Sequence, residues 1–331
     1  MNKIISLVVP VFRNMETLAE VHKQIIDIRL KCFPHLEIEI VFVDDGSPDG
    51  SWDELKRLYL LDPTHVVLVK LSRNFGQVAA ILAGYGTARG DAIITMSADL
   101  QDPVDLIPQM VSGWENGNEM VIAHRVSRDD DFISTQFSKL AYGIARCSNP
   151  RIPDGGFDFL LISRRAANII LGFKGRHRFF QGDVLWLGLQ SLFIPYVRKR
   201  RLHGKSGWTI SKKFKYFTDL LLDSSYFPIR LMSALGFVTA MIGIAYVLII
   251  LIQWFRGNTP FTGWAPIMVV LLVIGGLIMM MLGMIGEYLW RIYDDVKMRP
   301  LYIVESEHLS PSVNSATEPQ STSQRGICEK I

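Results

Sequence analysis

The stretch Ile93–Pro103 reads Ile-Ile-Thr-Met-Ser-Ala-Asp-Leu-Gln-Asp-Pro, and it decides the fold class. Its apolar start predicts a short strand that ends abruptly in Asp99, Gln101 and Asp102. In open α/β sheets, ligands bind beyond the carboxyl ends of the strands. Hard oxygen ligands in that place suit Mg²⁺ or Mn²⁺, which also accepts diphosphate oxygens. The alternative is an Asp-rich turn between a strand and a helix, and this motif alone favours the metal site only slightly.

Two earlier segments have the same form. Ile5–Val11 is an apolar run followed by the polar residues of Phe12–Asn14, and Ile38–Val43 is followed by Asp44–Ser47. Strands of this kind, alternating with helical segments, predict an α/β fold with a parallel, doubly wound sheet. Because the carboxyl ends of parallel strands share one edge, we expect the three polar clusters to lie together. Turn chemistry explains each cluster alone but not three in phase.

Four motifs in this order resemble those of family 2 glycosyltransferases, and the resemblance implies a GT-A (Rossmann-like) catalytic domain. Along the chain they are Pro10-Val11-Phe12-Arg13-Asn14, Val43-Asp44-Asp45-Gly46-Ser47, Leu71-Ser72-Arg73-Asn74-Phe75-Gly76 and Ala98-Asp99-Leu100-Gln101-Asp102-Pro103. Within the family, the chain is similar to polyprenyl-phosphate glycosyltransferases of the GtrB and dolichol-phosphate mannose synthase type. The resemblance covers roughly residues 3–300.

The resemblance implies that these motifs bind a nucleotide sugar and a divalent metal. Asp44 and Asp45 are expected to hold the base and the ribose. Relatives usually have Asp-Ala-Asp-Leu-Gln where this chain has Ser97 as the first residue. Since a hydroxyl is a weak neutral ligand, Asp99 must carry more of the metal, helped by Gln101 or Asp102. The expected donor-binding residues are Pro10, Val11, Arg13, Asp44, Asp45, Ser72, Asn74, Gln77 and Asp99.

Composition limits the classes of function. Hydrophobic residues make up 49% of the 331 residues, and the excess lies near the C-terminus. A net charge of +3 is too small to indicate a nucleic-acid partner. Cys32, Cys147 and Cys328 lie too far apart for a zinc site or a disulfide framework. The N-terminus lacks a signal-peptide pattern, so we expect a cytosolic catalytic domain.

Two C-terminal segments have the composition of transmembrane helices. Neither residues 231–255 nor residues 264–286 contain a charged side chain, and roughly 20 apolar residues span a bilayer core. Buried core helices, the alternative, are usually shorter and carry polar positions. Basic residues precede the first segment and follow the second. The positive-inside rule therefore predicts a multi-pass protein of the inner (plasma) membrane with a cytoplasmic catalytic domain.

The remaining boundaries follow from this arrangement. Residues 1–208 are expected to form the catalytic domain, and residues 209–230 a juxtamembrane amphipathic helix lying in the interface. A helix packed on the catalytic domain is the alternative for that segment. Residues 287–331 are expected to form a cytoplasmic C-terminal segment, with a disordered tail after about residue 305.

The middle of the chain is expected to bind the acceptor. Asp158 lies in a turn-rich loop that resembles the acceptor loop of the family, and Asp183 matches a region where relatives carry a later acidic residue. Both are candidate catalytic carboxylates. Basic side chains are candidate phosphate ligands, although each could equally be a solvated surface charge. They are Arg125, Arg128, Arg200, Arg201, His203 and Lys205.

The resemblance favours UDP-glucose as donor and undecaprenyl phosphate as acceptor, with inversion at the sugar. UDP-N-acetylglucosamine, modified UDP-arabinose and GDP-mannose are the alternative donors. A processive polysaccharide synthase is disfavoured because no Gln-x-x-Arg-Trp sequence occurs. A non-catalytic nucleotide-sugar-binding membrane protein would account for Ser97 but not for the intact Asp99 and Asp158. Gly275, Gly276 and Gly283 allow close helix approach, so we also expect a homo-oligomer.

Overall fold

The structure is a computed structural model, and it describes residues 3–33, 36–127, 153, 156–197, 227–256 and 265–309. It divides into two compact units. The first is drawn from Met1–Lys174, Phe180–Ile210 and Pro300–Ile331. The second is drawn from Gly175–Phe179 and Ser211–Arg299.

The first unit contains an eight-stranded sheet and six helices among its described residues. The strands are β1 (Ile4–Val11), β2 (Glu37–Asp44), β3 (Val66–Leu71), β4 (Ala92–Thr95), β5 (Met120–Ser127), β6 (Phe159–Ser163), β7 (Ser191–Val197) and β8 (Val304–His308). The helices are α1 (Met15–Cys32), α2 (Ser51–Leu61), α3 (Gln77–Thr87), α4 (Ile107–Glu115), α5 (Arg164–Leu171) and α6 (Phe180–Trp186), and a 3₁₀ turn at Val104–Leu106 precedes α4.

The sheet order is β7-β5-β6-β4-β1-β2-β3-β8. Strand β1 pairs in parallel with both β2 and β4, and only β6 and β8 run antiparallel to their neighbours among the described strands. The predicted mainly parallel α/β sheet is therefore confirmed. The central strands are mainly apolar because they are buried, as the 0% exposure of Leu7 and Phe42 shows. The buried side chains of Ser6 and Glu39 bond to each other at 2.6 Å.

The register explains why the polar clusters share an edge. Val11, the last residue of β1, pairs with Asp44, the last residue of β2. The amide of Asp45 then donates to the carbonyl of Val11 at 2.9 Å, which continues the ladder one step beyond both strands. On the other side of β1, Thr95 ends β4. The carboxyl ends of these three strands therefore form one edge of the sheet.

Strand β8 lies at the predicted start of the tail, about residue 305, and since the residues after 309 lie outside the described part of the chain, the disordered tail stays a prediction. Strand β8 pairs antiparallel with β3, and Lys70 and Glu305 form an ion pair at 3.0 Å. Tyr59 donates its hydroxyl to the carbonyl of Leu309 at 2.9 Å. The local composition around residue 305 is polar because this strand lies at the sheet edge. Its stability comes from backbone pairing with the open edge of β3, which composition does not show.

The second unit contains two long helices, α7 (Phe227–Phe255) and α8 (Ala265–Val296). They cover the two predicted membrane segments, but α8 continues past residue 286, where Glu287 and Arg291 form an ion pair at 3.3 Å within the helix. Among the described residues, Val273–Val296 alone has the length and composition needed to cross a membrane, and Leu231–Tyr246 is a shorter apolar stretch. Two membrane spans therefore stay a prediction.

Candidate active site

Asp44 is fully buried at the end of β2. One of its carboxylate oxygens, Oδ1, accepts the amide of Ser47 at 3.2 Å. The other, Oδ2, is buried without a hydrogen-bond partner among the described residues. Burial raises the pKa of Asp44, and the hydrogen bonds from Ser47 and the charge of Lys70 only partly oppose that shift. A buried, incompletely bonded acceptor of this kind is suited to a donor group on a ligand.

Asp45 holds the loop that follows β3. Its two carboxylate oxygens accept the amides of Phe75 at 2.7 Å and Gly76 at 2.9 Å. Burial raises the pKa of Asp45 to about 6, although both amides lower it. The next residue, Gly46, has a φ of +65°, and a Cβ there would lie 2.6 Å from the backbone of Arg73. The close approach of these two loops therefore requires glycine.

The turn after β1 packs against the turn after β2. The amide of Arg13 donates to the hydroxyl of Ser47 at 3.1 Å, and Arg13 has a φ of 59°. Asn14 accepts the amide of Phe12 at 3.1 Å. Val11 is 1% exposed and belongs to the core, so a contact from Val11 to a ligand would have to come from its backbone.

The other predicted donor-binding residues lie on the strand β1 or on the loop after β3. Pro10 is partly buried in β1, whereas Ser72 and Asn74 are exposed, as is Gln77 at the start of α3. The amide of Ser72 donates to the carbonyl of Ile303 at 3.0 Å. The segment leading into β8 thus supports the loop that carries these side chains.

The loop after β4 brings two carboxylates to Ser97. Its hydroxyl oxygen lies 2.7 Å from Oδ1 of Asp99 and 2.6 Å from Oδ2 of Asp102. Amides of the same loop add hydrogen bonds, from Ser97 to Asp102 at 2.9 Å and from Gln101 to Asp99 at 3.2 Å. Leu100 has a φ of 60° at the tip of this loop. Asp99 and Asp102 are 7% and 3% exposed, so both are buried carboxylates.

Asp102 is held by protein groups at both oxygens. Oδ2 accepts from Ser97, and Oδ1 accepts the hydroxyl of Tyr196 at 3.1 Å. This bonding makes Asp102 a support for the loop, and its predicted role as a metal ligand stays a prediction. The hydrogen bond from Tyr196 comes from strand β7, a partner that the local sequence does not reveal.

The donor set fits a hard divalent cation of the Mg²⁺ type. Such an ion needs one or two protein carboxylates and fills its remaining positions with water and phosphate oxygens. Asp99 supplies a buried carboxylate, and Gln101 follows two residues later on the same loop. Among the described residues, no group of three His, Cys, Asp or Glu side chains forms a cage. The residues that would hold such an ion are Asp99 and Gln101, and Asp102 stays a predicted ligand beside them.

Asp158 lies before β6 and is partly exposed, with 39% of its side chain accessible. Its Oδ2 forms an ion pair with Nη2 of Arg125, and its Oδ1 accepts Nε2 of Gln181 at 3.3 Å. Burial lowers the pKa of Arg125, but the interactions with Asp158, Tyr196 and Asp102 together outweigh burial and raise that pKa. Arg125 is only 7% exposed. The structure thus places this predicted phosphate ligand in a buried ion pair.

Of the other acceptor-side candidates, the structure describes only Asp183. Asp183 lies on α6, two residues after Gln181, and is partly buried. Arg128, Arg200, Arg201, His203 and Lys205 lie outside the described residues, as does the predicted amphipathic helix apart from its last four residues. Tyr196 and Gln181 contact the site but were not among the predicted site residues. No motif marks Tyr196, which lies within an ordinary strand sequence.

Comparisons with known proteins agree with this geometry. The family model described as "Glycosyl transferase family 2" matches residues 6–178. The chain belongs to glycosyl transferase family 2. It is therefore a glycosyltransferase, and the resemblance drawn from its four motifs is confirmed.

Relatives of the same length support the assignment. The chain is 34% identical over 307 residues to the SfII prophage-derived bactoprenol glucosyl transferase of Shigella flexneri, covering 92% of this chain and 98% of that protein. It is also 34% identical over 305 residues to the uncharacterized glycosyltransferase YkcC of Bacillus subtilis, covering 92% and 94% respectively.

A solved structure shows the same fold. Glucosyl-3-phosphoglycerate synthase from Mycobacterium tuberculosis superimposes with a TM-score of 0.50 at 17% identity, covering 67% of this chain and 80% of that chain. The catalytic unit of this family 2 glycosyltransferase therefore has the GT-A fold, with a mixed, mostly parallel sheet.

Proposed function

We propose that this glycosyltransferase moves glucose from UDP-glucose to undecaprenyl phosphate, with inversion, at the cytoplasmic face of the membrane. The observation that carries the proposal is the convergence of Asp44, Asp45 and Asp99 on one edge of a GT-A sheet, in a chain similar over its length to a bactoprenol glucosyl transferase.

The donor side of the site is built from carboxylates and backbone. The Oδ2 of Asp44, which has no hydrogen-bond partner in the described part of the chain, can accept a hydrogen bond from the base or the ribose. Asp45 fixes the loop after β3 through two amides, so Ser72 and Asn74 are presented to the donor from a defined backbone. The GT-A fold and these acceptors support a nucleotide sugar, and the relatives' names support glucose.

Asp99 and Gln101 would hold Mg²⁺ or Mn²⁺ beside the diphosphate. Bound there, the ion supplies Lewis-acid stabilisation of the charge that develops on the leaving nucleotide. Asp102 and Ser97 keep the Asp99 loop in one conformation. The protein's own contribution is thus a rigid, buried carboxylate at the strand end.

The acceptor side needs little base catalysis. A phosphate monoester has a second pKa near about 6, so at neutral pH its oxygen is already a charged nucleophile. That oxygen attacks the anomeric carbon from the face opposite the nucleotide, and the bond to the diphosphate breaks. A single displacement of this kind inverts the anomeric centre. In this proposal Asp158, which is bonded by Arg125 and Gln181, orients the acceptor more than it deprotonates it.

The membrane part of the proposal rests on α7 and α8. Removing a polyprenyl chain from the bilayer costs about 0.8 kcal/mol for each exposed CH₂, so the active site must lie at the membrane surface. Val273–Val296 can cross a bilayer, and α7 is proposed as the second span. Glycines in α8 favour the proposed self-association.

The test is a transfer assay with the full chain in lipid nanodiscs that contain undecaprenyl phosphate. UDP-glucose, UDP-N-acetylglucosamine, a modified UDP-arabinose and GDP-mannose are offered in parallel, and the glycosylated lipid is identified by mass spectrometry. We expect β-glucosyl phospholipid with UDP-glucose only, and none from the Asp99→Ala variant or in EDTA. If glycosylated lipid forms only with another donor, the transferred sugar is that donor's and not glucose. If no glycosylated lipid forms with any of the four donors, the proposed function is refuted.

A further inference from the structure

A buried tyrosine joins the donor side and the acceptor side of the site. Tyr196 of β7 lies opposite Arg125 of β5 in the parallel register. Its hydroxyl donates to Oδ1 of Asp102 at 3.1 Å and accepts from Nε of Arg125 at 3.5 Å. The same guanidinium is ion-paired to Asp158. These four side chains therefore form a continuous path from the loop after β4 to the carboxylate before β6.

Three of the four side chains in this path are buried, and only Asp158 is partly exposed. Tyr196 is 5% exposed and Arg125 is 7% exposed, although arginine is almost never fully buried unless it is paired. The ring of Tyr196 packs edge-on against Phe159, with centroids 6.2 Å apart, which sets the direction of the hydroxyl. Hydrogen bonds in such low-dielectric surroundings are stronger than in water and polarise one another.

The far end of the path is also held. Gln181 donates from Nε2 to the carbonyl of Phe157 at 2.7 Å and to Oδ1 of Asp158 at 3.3 Å. Asp158 is thus bonded at one oxygen by Gln181 and at the other by Arg125. Its carboxylate cannot turn without breaking a contact that leads back through Tyr196 to the donor loop.

We propose that Tyr196 is a positioning residue of sugar transfer, which keeps the Asp99–Asp102 loop in register with Asp158 so that donor and acceptor are aligned together. This inference rests on the proposed function, which supplies the lipid phosphate as the acceptor. Alignment of two reactants removes a large part of the barrier in a two-substrate reaction, and small displacements of either reactant slow the reaction strongly. Tyr196 acts through Asp102 and Arg125 and contacts neither substrate directly.

The central experiment replaces Tyr196 by Phe, which keeps the ring and removes the hydroxyl. We expect kcat for transfer to fall about tenfold, the loss expected from one hydrogen bond to a charged partner. KM for the nucleotide sugar and for the lipid phosphate should stay unchanged, because the substrate contacts remain. Arg125→Lys keeps the charge but not the two-pronged geometry, and it should lower kcat in the same way.

Tyr85→Phe is the matched control. Tyr85 is a fully buried tyrosine whose hydroxyl lies 2.7 Å from Oγ1 of Thr95, outside this path. Its replacement removes a comparable buried hydrogen bond and should leave kcat unchanged. An equal loss of kcat in Tyr85→Phe and Tyr196→Phe would make the effect one of general stability and would overturn the proposal.

A double-mutant cycle tests the path itself. In an Asp158→Asn background, Tyr196→Phe should cause little further loss of kcat, because both changes break one path. Independent, multiplicative losses would contradict the link. If the wild-type chain transfers sugar and Tyr196→Phe equals it, the positioning role fails while the proposed function stands.

Amide hydrogen exchange provides a readout that needs no substrate. Residues 96–103 should exchange faster in Tyr196→Phe than in the wild type or in Tyr85→Phe, since the Asp102 anchor is lost. Unchanged protection of that loop would refute the positioning role, even if the chain proved to act on a different acceptor.

Discussion

The hydroxyl oxygen of Ser97 lies 2.6 Å from Oδ2 of Asp102, and its amide donates to the same oxygen at 2.9 Å. The hydroxyl also lies 2.7 Å from Asp99. The residue that departs from the family pattern therefore lies between two buried carboxylates that would otherwise repel each other. Ser97 adapts this loop to hold its conformation by hydrogen bonds within the protein.

Restoring the family residue with Ser97→Asp should make the loop depend on a cation. Three neighbouring carboxylates repel when no ion is bound, so we expect a lower Tm in EDTA. The added hard oxygen ligand should enlarge the rise in Tm that Mn²⁺ produces. Differential scanning fluorimetry with and without Mn²⁺ measures both effects.

Ser97→Ala is the control for that substitution. It removes the hydroxyl without adding charge, so the free energy of unfolding should fall by about 1.5–3 kcal/mol, the value of a hydrogen bond to a charged group. Tm should therefore fall equally in EDTA and in Mn²⁺. If Ser97→Asp shows no larger Mn²⁺ response than Ser97→Ala, the ion does not bind at this loop.

Asp158→Asn should separate acceptor chemistry from donor binding. The substitution keeps size and removes the charge, so turnover with lipid phosphate should fall much more than UDP affinity measured by calorimetry. It also leaves the guanidinium of Arg125 without its ion-pair partner, and a drop in Tm should accompany the loss.

Asp183→Asn is the comparison for Asp158→Asn. Whichever substitution stops transfer while preserving UDP affinity identifies the acceptor-side carboxylate. If Asp158→Asn weakens UDP binding as strongly as it slows turnover, Asp158 belongs to the donor site instead.

Nucleotide binding should depend on pH through Asp45, whose pKa is raised from 3.8 to about 6 by burial. Because this pKa is raised, the folded chain favours the protonated form of Asp45. The contribution of Asp45 to folding stability is therefore present below pH 3.8 and is lost as pH rises through about 6. The charged form holds the amides of Phe75 and Gly76 more strongly. We therefore expect Kd for UDP to increase as pH falls below about 6.

Calorimetric titration of UDP between pH 5 and pH 8, at about half-unit intervals, tests this expectation. Asp45→Asn cannot ionise and should bind more weakly with no such transition. A wild-type Kd that stays flat across the range would show that Asp45 does not change charge on binding.

Removing strand β8 should weaken both stability and donor binding. Truncation after Arg299 deletes the ion pair of Lys70 with Glu305 and the support of Ser72 by Ile303. It also exposes the edge of β3. We expect a lower Tm and a higher KM for the nucleotide sugar.

Truncation after Pro311 is the matched control, because it keeps β8 and the contact of Tyr59 with Leu309. Tm and KM should then match those of the full chain. Equal behaviour of both truncated chains would mean that β8 contributes nothing to the donor loop.

Local sequence patterns predicted the parallel strands of the sheet and the shared edge at which their polar residues lie. Mainly apolar runs such as Ile38–Val43 predict buried parallel strands. Polar residues directly after them predict the ligand-binding edge, because the direction of parallel strands fixes where their ends lie. The motifs around Asp44, Asp45 and Asp99 were therefore correctly assigned to one edge of the sheet.

Contacts between distant segments required the folded chain. Tyr196 meets Asp102 across 94 positions of sequence, and Glu305 meets Lys70 after the chain has passed through two long helices. Such contacts depend on which strands become neighbours, and the order β7-β5-β6-β4 is not the order of the chain. The local periodicity of the sequence carries no information about that order. Only the folded chain decides which polar side chains become buried next to each other and must therefore form hydrogen bonds.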